Sequence, residues 1–239
     1  MAAPLRPDPP DRPAWVDRVD NPYLHGIHAP VARETSADDL LVEGELPPDL
    51  CGTYVRNGPN PVFEPRNPYH WFDGDGMLHA VAFRDGRASY RSRWVRTQGL
   101  ADERRAGRAI WPGVMGPFDF SLPRHYLKDT ANTDVVHHRG SLLALWYLCG
   151  EAHRLDPRTL EPCGREDFGG RLASTISAHP KLDPRSGELV WFTLSDVEPP
   201  YMTCGVVSRD GVVAHQIPID LPGPRATHDV TITERYTCL

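Results

Sequence analysis

Short strand-like runs separated by turn-forming residues recur along most of this sequence, and this pattern limits the folds open to it. Runs such as "MLHAVAF", "TDVVHH", "SLLALWYL" and "ELVWFTL" are rich in apolar and β-branched residues, and each ends close to Gly, Asp or Pro. Such runs are typical of β-hairpins. The best helical candidate, residues 99–110, is short. The sequence predicts an all-β fold, and hairpins that recur every few tens of residues favour the blades of a β-propeller.

The first residues of the chain differ in composition from the rest. Residues 1–20 are rich in Pro and charged side chains, which predicts a disordered N-terminal tail followed by one β domain over residues 21–239. The start, "MAAPLRPDPPDRP", lacks the apolar segment of a secretory signal. No apolar run approaches the roughly 20 residues that span a bilayer. We therefore expect a cytoplasmic protein.

Charge and cysteine content exclude several classes of function. The formal net charge is −6 and the basic residues are scattered, so nothing indicates a nucleic-acid partner. The number of cysteines is odd and none are spaced as C-x-x-C, which argues against a disulfide framework or a structural zinc site and fits a reducing compartment. The cysteines are Cys51, Cys149, Cys163, Cys204 and Cys238.

Two histidines differ from the other nine in their surroundings. Pro180 directly follows His179 and disfavours the helical region for it, which predicts a position at a strand end. A Pro- and Gly-containing loop leads into His228, and a β-branched run follows it. The two lie 228 − 179 = 49 positions apart, close to the roughly 40–50 residues of a propeller blade. Equivalent positions on successive blades would point both imidazoles towards the central axis, where they could bind a metal.

The remaining histidines carry weaker signals. His137 and His138 are adjacent, so on a strand they point to opposite faces and cannot both reach one metal. A lone histidine is more often a surface or core residue than a ligand, and that reading also stays open for His179 and His228 at this point.

Five segments, in their order along the chain, resemble the carotenoid oxygenase family, also called carotenoid cleavage dioxygenases. The resemblance covers nearly the whole chain from about Asn21 onwards. The segments are "GTYVRNGPNP" (52–61), "HWFDGDGMLHAV" (70–81), "ANTDVVHHRGSLLALW" (131–146), "SAHPKLDPRSGEL" (177–189) and "HDVTITERY" (228–236).

The resemblance implies a seven-bladed β-propeller, of which about half is present here, with a non-haem iron on its axis. Four histidines bind one Fe²⁺ per full-length chain in such a protein, and the matching segments imply that His179 and His228 are the first two ligands. The implied reaction is cleavage of a C=C bond in a carotenoid, apocarotenoid or stilbene by O₂ to give two carbonyl products. An apolar polyene or stilbene is then the substrate, and peripheral contact with a membrane is a further expectation.

The chain departs from the family pattern in two respects. Many members carry a glutamate just after the "LLALW" segment that hydrogen-bonds a ligand histidine, whereas Tyr147 or Leu148 stands at that place here and Glu151 is the remaining candidate for the role. Family members are also roughly twice as long. The missing part would hold the third and fourth ligands, so we expect this sequence to be a fragment that is inactive and poorly soluble by itself.

Two alternatives remain open at the level of sequence. A relative of the isomerohydrolase branch, which acts on retinyl esters, would share the same ligands. A propeller used as a metal-free binding module would share the fold and lack the iron.

Overall fold

The computed structural model describes residues 11–148, 150–172 and 175–239, and in these ranges the chain is built almost entirely from short antiparallel strands. Single-turn 3₁₀ helices lie at Val16–Arg18, Pro22–Leu24, Gly26–His28 and Trp71–Asp73, and one α-helix, α1, spans Gln98–Ala106. The strands are β1 (Thr35–Ala37), β2 (Gly52–Pro59), β3 (Gly76–Arg84), β4 (Arg87–Trp94), β5 (Asp134–His138), β6 (Ser141–Leu145), β7 (Ala152–Leu155), β8 (Pro162–Glu166), β9 (Lys181–Leu182), β10 (Leu189–Leu194), β11 (Met202–Val207), β12 (Val213–Ile219), β13 (Thr231–Ile232) and β14 (Thr237–Cys238).

These strands form three four-stranded sheets and a final hairpin. Sheet 1 has the order β1-β4-β3-β2, sheet 2 the order β5-β6-β7-β8 and sheet 3 the order β12-β11-β10-β9, while β13 pairs with β14. All the pairings are antiparallel. The prediction of an all-β fold is confirmed, and successive four-stranded sheets are what part of a propeller requires.

Local turn chemistry explains where the hairpins fold back. Asp85 and Gly86 between β3 and β4 have φ of 52° and 71°, and Arg139 and Gly140 between β5 and β6 have φ of 50° and 74°. Two successive positive φ values define the type I′ turn, whose twist matches that of paired strands. The "RDG" and "RG" segments of the sequence therefore mark the turns that they predict.

The single predicted helix also forms. The side-chain oxygen of Thr97 accepts a hydrogen bond from the Leu100 amide at 3.1 Å, which caps the first turn of α1. Gly107 follows in the left-handed conformation and ends the helix, so α1 stops before the predicted boundary at residue 110.

The hydrophobic core lies between neighbouring sheets. Leu78 of β3 packs against Leu142 and Ala144 of β6, which joins sheets 1 and 2. Leu143 on the opposite face of β6 packs with Trp191 of β10, which joins sheets 2 and 3. Residues 142–145 are all buried because β6 is covered on both faces, and its continuous apolar sequence reflects this burial.

The prediction of a disordered tail over residues 1–20 needs a correction in its second half. Trp15 and Val16 are buried and pack with Leu24 and Tyr69, so the folded part of the chain begins before residue 21. Two apolar side chains supply this anchor within a segment whose average composition is polar. Residues 1–10, Cys149 and residues 173–174 lie outside the described residues. Within the described ranges, no helix is long and apolar enough to cross a membrane.

A buried ion cluster attaches α1 to the entrance of β3. The Nζ atom of Lys128 lies 2.6 Å from Glu103 Oε2 and 2.8 Å from Asp75 Oδ1, and the second contact is an ion pair without directed hydrogen-bond geometry. All three side chains are less than a tenth exposed. Burial by itself would lower the pKa of Lys128, but the two carboxylates outweigh it and raise that pKa.

Lys128→Met should destabilise the fold by about 3–5 kcal/mol, because it leaves two carboxylates buried without a counter-charge. Urea unfolding followed by tryptophan fluorescence measures the change. Arg87→Met is the matched control, since it breaks an exposed ion pair with Asp39 and should shift the midpoint little. Equal midpoints for Lys128→Met and the parent chain would contradict the role given to this cluster.

Candidate metal centre

His179 is held at the entrance of β9 by the chain on both sides of it. The amide of Ser177 donates a hydrogen bond to the carbonyl of Phe192 at 2.9 Å, which fixes the preceding residues against β10. Ala178 is fully buried, and Pro180 follows. His179 itself has φ of 37°, which is uncommon for a residue other than glycine. The neighbours thus set an unusual backbone conformation and place this side chain at a strand end, as predicted.

His228 occupies the corresponding place before β13. Val230 is buried among Phe192 and Met202 of sheet 3, which anchors the start of the final hairpin. Lys181 Nζ lies 2.5 Å from Asp229 Oδ1, and this ion pair ties the residues next to the two histidines to each other. His228 is itself exposed, and the contacts of the next two residues, Asp229 and Val230, fix its position.

The structure brings the two histidines together. Their ring centres are 5.0 Å apart, and the ring planes are inclined by 55°. A metal–nitrogen distance of about 2.0–2.1 Å places the centre of a bound imidazole about 3.2 Å from the metal, so two rings about 90–110° apart have centres about 4.5–5.2 Å apart. The observed spacing fits two imidazoles that share one metal ion.

A carboxylate contacts the first of these histidines. Asp134 Oδ2 lies 3.0 Å from His179 Nδ1. This hydrogen bond raises the pKa of His179 against the opposing effect of burial. Burial would raise the pKa of Asp134, but the bonds from His179 and the Val135 amide outweigh it and lower that pKa. A carboxylate on one ring nitrogen leaves the other nitrogen as the metal-binding atom, an arrangement common in metal sites.

Glu151 makes different contacts from those that the resemblance suggests. Its carboxylate pairs with Arg165 at 3.0 Å, and its amide donates to Asp129 Oδ2 at 2.8 Å. The carboxylate that contacts His179 is that of Asp134 and not that of Glu151. No local pattern marks Asp134, because its partner His179 lies 179 − 134 = 45 positions further along the chain.

Tyr147, one of the two residues considered for the place of the expected glutamate, packs into an aromatic group. Its ring centre lies 4.7 Å from that of Phe72 and 5.5 Å from that of Trp146. Burial raises the pKa of Tyr147, so its phenol stays protonated at neutral pH and supplies no negative charge.

The other histidines form no comparable centre. His138 is buried beside Phe168, while the adjacent His137 is exposed, so they point to opposite faces as predicted. In the part of the chain that the structure describes, no group of three or more His, Cys, Asp or Glu side chains could hold a metal ion. The pair His179–His228 is therefore at most half of a four-histidine site.

Comparison with known proteins gives consistent results. The chain matches the family model described as retinal pigment epithelial membrane protein over residues 28–239. It is 40% identical to carotenoid 9,10(9',10')-cleavage dioxygenase 1 of Arabidopsis thaliana, over 90% of this chain and 43% of the relative. It is 35% identical to isoeugenol monooxygenase of Pseudomonas nitroreducens, over 91% of this chain and 46% of the relative. The chain thus spans less than half the length of these relatives.

Solved structures agree with the sequence matches. Lignostilbene dioxygenase of Pseudomonas brassicacearum superposes with a TM-score of 0.79 at 31% identity, over 96% of this chain and 47% of that one. An apocarotenoid oxygenase variant from Synechocystis superposes with a TM-score of 0.74 at 35% identity, over 87% of this chain and 46% of that one. The chain therefore belongs to the family of the retinal pigment epithelial membrane protein and the carotenoid cleavage dioxygenases, which its motifs resemble.

Proposed function

We propose that the complete protein containing these residues is a non-haem iron(II) dioxygenase that cleaves a C=C bond of a carotenoid, apocarotenoid or stilbene. One molecule of O₂ supplies one oxygen atom to each carbon of the broken bond, so two carbonyl products form. The observation that carries the proposal is the pair His179–His228. The two ring centres lie 5.0 Å apart, at the entrances of β9 and β13. Similarity to enzymes named for carotenoid and lignostilbene cleavage supports it.

The donor set of this pair suits iron. Imidazole nitrogen is a good ligand for Fe²⁺, and two neutral imidazoles leave the metal its full positive charge. When bound, the iron supplies the redox chemistry by which dioxygen reacts with a double bond. His179 and His228 would hold it, and two further histidines beyond residue 239 would complete the four-ligand set. Sequencing the reading frame past codon 239 tests the second statement, since the frame should continue and encode both.

An array of aromatic rings beside this site supports an apolar, conjugated substrate. The side-chain amide of Asn132 donates from Nδ2 to the backbone carbonyls of Trp71 and Phe72, at 3.2 and 3.1 Å. Phe72 packs on Tyr147, whose amide donates to Thr133 Oγ1 at 3.1 Å. Asn132 and Thr133 directly precede Asp134. The same short segment therefore holds both the aromatic residues and the side chain of His179. Ring faces bind a polyene or stilbene through apolar contact without charged groups.

A cavity near these rings has a volume suitable for such a ligand. It measures about 590 Å³, and its wall includes Trp71, Phe72, Asn132 and Thr133. Binding cavities for small molecules usually measure about 300–1,000 Å³.

Replacement of both His179 and His228 by Ala in the complete protein should lower the iron content from about one per chain to below about 0.1, because half of the ligands are lost. Elemental analysis of protein purified without oxygen measures the iron, and product analysis with a stilbene and an apocarotenal measures cleavage. His215→Ala, an exposed histidine on β12, is the control and should keep both iron and activity.

Three outcomes separate the candidate functions. Loss of iron and of both carbonyl products in the double variant supports the dioxygenase. Iron in the parent protein together with conversion of retinyl esters, and no double-bond cleavage, indicates the isomerohydrolase alternative. A parent protein without iron that still binds a polyene indicates a metal-free binding module and contradicts the proposal.

We also propose peripheral contact with membranes, where apolar polyenes partition. Met115, Phe118 and Phe120 lie in the long segment between α1 and β5 and are 62%, 49% and 77% exposed. The two Phe rings pack against each other and against Tyr126, whose hydroxyl binds Asp196. Exposed apolar patches of this kind mark interaction surfaces. The cytoplasmic location expected from the sequence remains a prediction.

Phe118→Ser combined with Phe120→Ser should reduce binding of the protein to phosphatidylcholine vesicles roughly tenfold, since about 1.4 kcal/mol or more of apolar transfer energy is lost. Co-sedimentation over a range of lipid concentrations measures the change. Leu41→Ser, an equally apolar exposed residue elsewhere on the chain, is the control and should bind like the parent. Unchanged binding by the double variant would exclude this patch as the contact.

A further inference from the structure

We infer that Asp134 is a positioning residue for His179: its carboxylate holds the ring with Nδ1–H as donor, which leaves Nε2 as the nitrogen that binds the metal. The inference rests on the proposed iron site for its consequence, but the orientation of the ring can be measured without any metal.

The contact has the geometry that this role requires. Asp134 Oδ2 accepts from His179 Nδ1 at 3.0 Å, and Asp134 Oδ1 accepts from the amide of Val135 at 2.7 Å. Each oxygen of the carboxylate therefore has a donor, and the carboxylate cannot rotate without losing one of them. The side chains of His179 and Asp134 are 24% and 31% exposed, so the hydrogen bond is partly shielded from water.

The backbone of Asp134 is fixed as firmly as its side chain. Asn57 of β2 donates from its Nδ2 to the carbonyls of Asp134 and Ala131, at 3.0 and 2.7 Å. Asp134 begins β5, the strand of sheet 2 that lies next to sheet 1. A positioning residue can act only when its own place is determined by packing and hydrogen bonds, and Asp134 meets this condition from two sheets.

The neighbouring cation, Lys181, acts on Asp134 only at a distance, where its charge helps to lower the pKa of that carboxyl. Lys181 lies two residues after His179, but its Nζ pairs with Asp229 Oδ1 at 2.5 Å. Among the described residues, Asp134 Oδ2 has the imidazole of His179 as its hydrogen-bond and ion-pair partner. The carboxylates of Asp134 and Asp229 therefore have separate donors: His179 for Asp134 and Lys181 for Asp229. The contact of Asp134 is thus specific to His179.

Replacement of Asp134 tests the inference through the tautomer of His179. In the metal-free protein at about pH 9, where a neutral ring is expected, nitrogen NMR of labelled histidine should show a proton on Nδ1 and none on Nε2. Asp134→Ala should convert this ring to the Nε2–H form that free histidine prefers, whereas Asp134→Asn should keep Nδ1–H because its amide oxygen still accepts. Asp156→Asn, which alters a turn carboxylate between β7 and β8, should change nothing at His179.

Metal affinity of the complete protein provides the second measurement. Competition with a chelator should show Co²⁺ and Fe²⁺ bound about 10–100-fold more weakly by Asp134→Ala, with a smaller loss for Asp134→Asn. The d–d absorption of bound Co²⁺ should change in Asp134→Ala and remain close to that of the parent in Asp156→Asn.

Two results would overturn the inference. One is a parental His179 tautomer in Asp134→Ala. The other is equal loss of metal affinity in the Asn and Ala variants, in parallel with equal loss of thermal stability of the metal-free protein, which indicates a structural role only. If the parent protein binds no metal but the tautomer depends on Asp134, the iron proposal fails while the positioning of His179 by Asp134 stands.

Discussion

The entrance of β5 is the point on which the candidate site depends. Three consecutive residues there each bind a different segment of the chain. The side chain of Asn132 donates to the backbone carbonyls of Trp71 and Phe72. The side chain of Thr133 accepts from the backbone amide of Tyr147, and that of Asp134 binds the ring of His179. Asn132 is buried, and its amide also donates to the carbonyl of Gly74 at 2.7 Å. Unsatisfied buried polar groups are costly, so a shift of this segment would break several contacts together. The aromatic rings and the first histidine thus keep a fixed relation.

The two histidines reach each other because the strands that they precede, β9 and β13, begin close together. His179 precedes β9 and His228 precedes β13, and the ion pair Lys181–Asp229 holds the two strand entrances together. An exposed ion pair contributes little stability by itself. Here its effect is geometric, because it connects residues directly adjacent to the ring pair. His179 and His228 are 49 positions apart in the sequence, but the spacing of β9 and β13 brings their ring centres to 5.0 Å from each other.

Much of the fold follows from local patterns, whereas the contacts around the site do not. The turns at Asp85–Gly86 and Arg139–Gly140 are encoded by residues that tolerate positive φ, so the hairpins can be predicted from a few neighbouring residues. The role of Asp134 depends on a partner 45 residues away, and no short segment contains both. The anchoring of Trp15 and Val16 shows the same limit, since the average composition of their segment hides two apolar side chains whose site is made by Leu24 and Tyr69.

Since the residues on this candidate site come from different sheets, metal binding and sheet packing should be coupled. Asp134 belongs to sheet 2, His179 leads into sheet 3, and His228 leads into the final hairpin. A ligand that binds only the arrangement in which these elements are packed stabilises that arrangement by mass action. The hydrophobic contacts between sheets, such as Leu143 with Trp191, set the same spacing from the other side. Packing therefore brings the two histidines close together, and a metal bound between them would hold the entrances of β9 and β13 to each other.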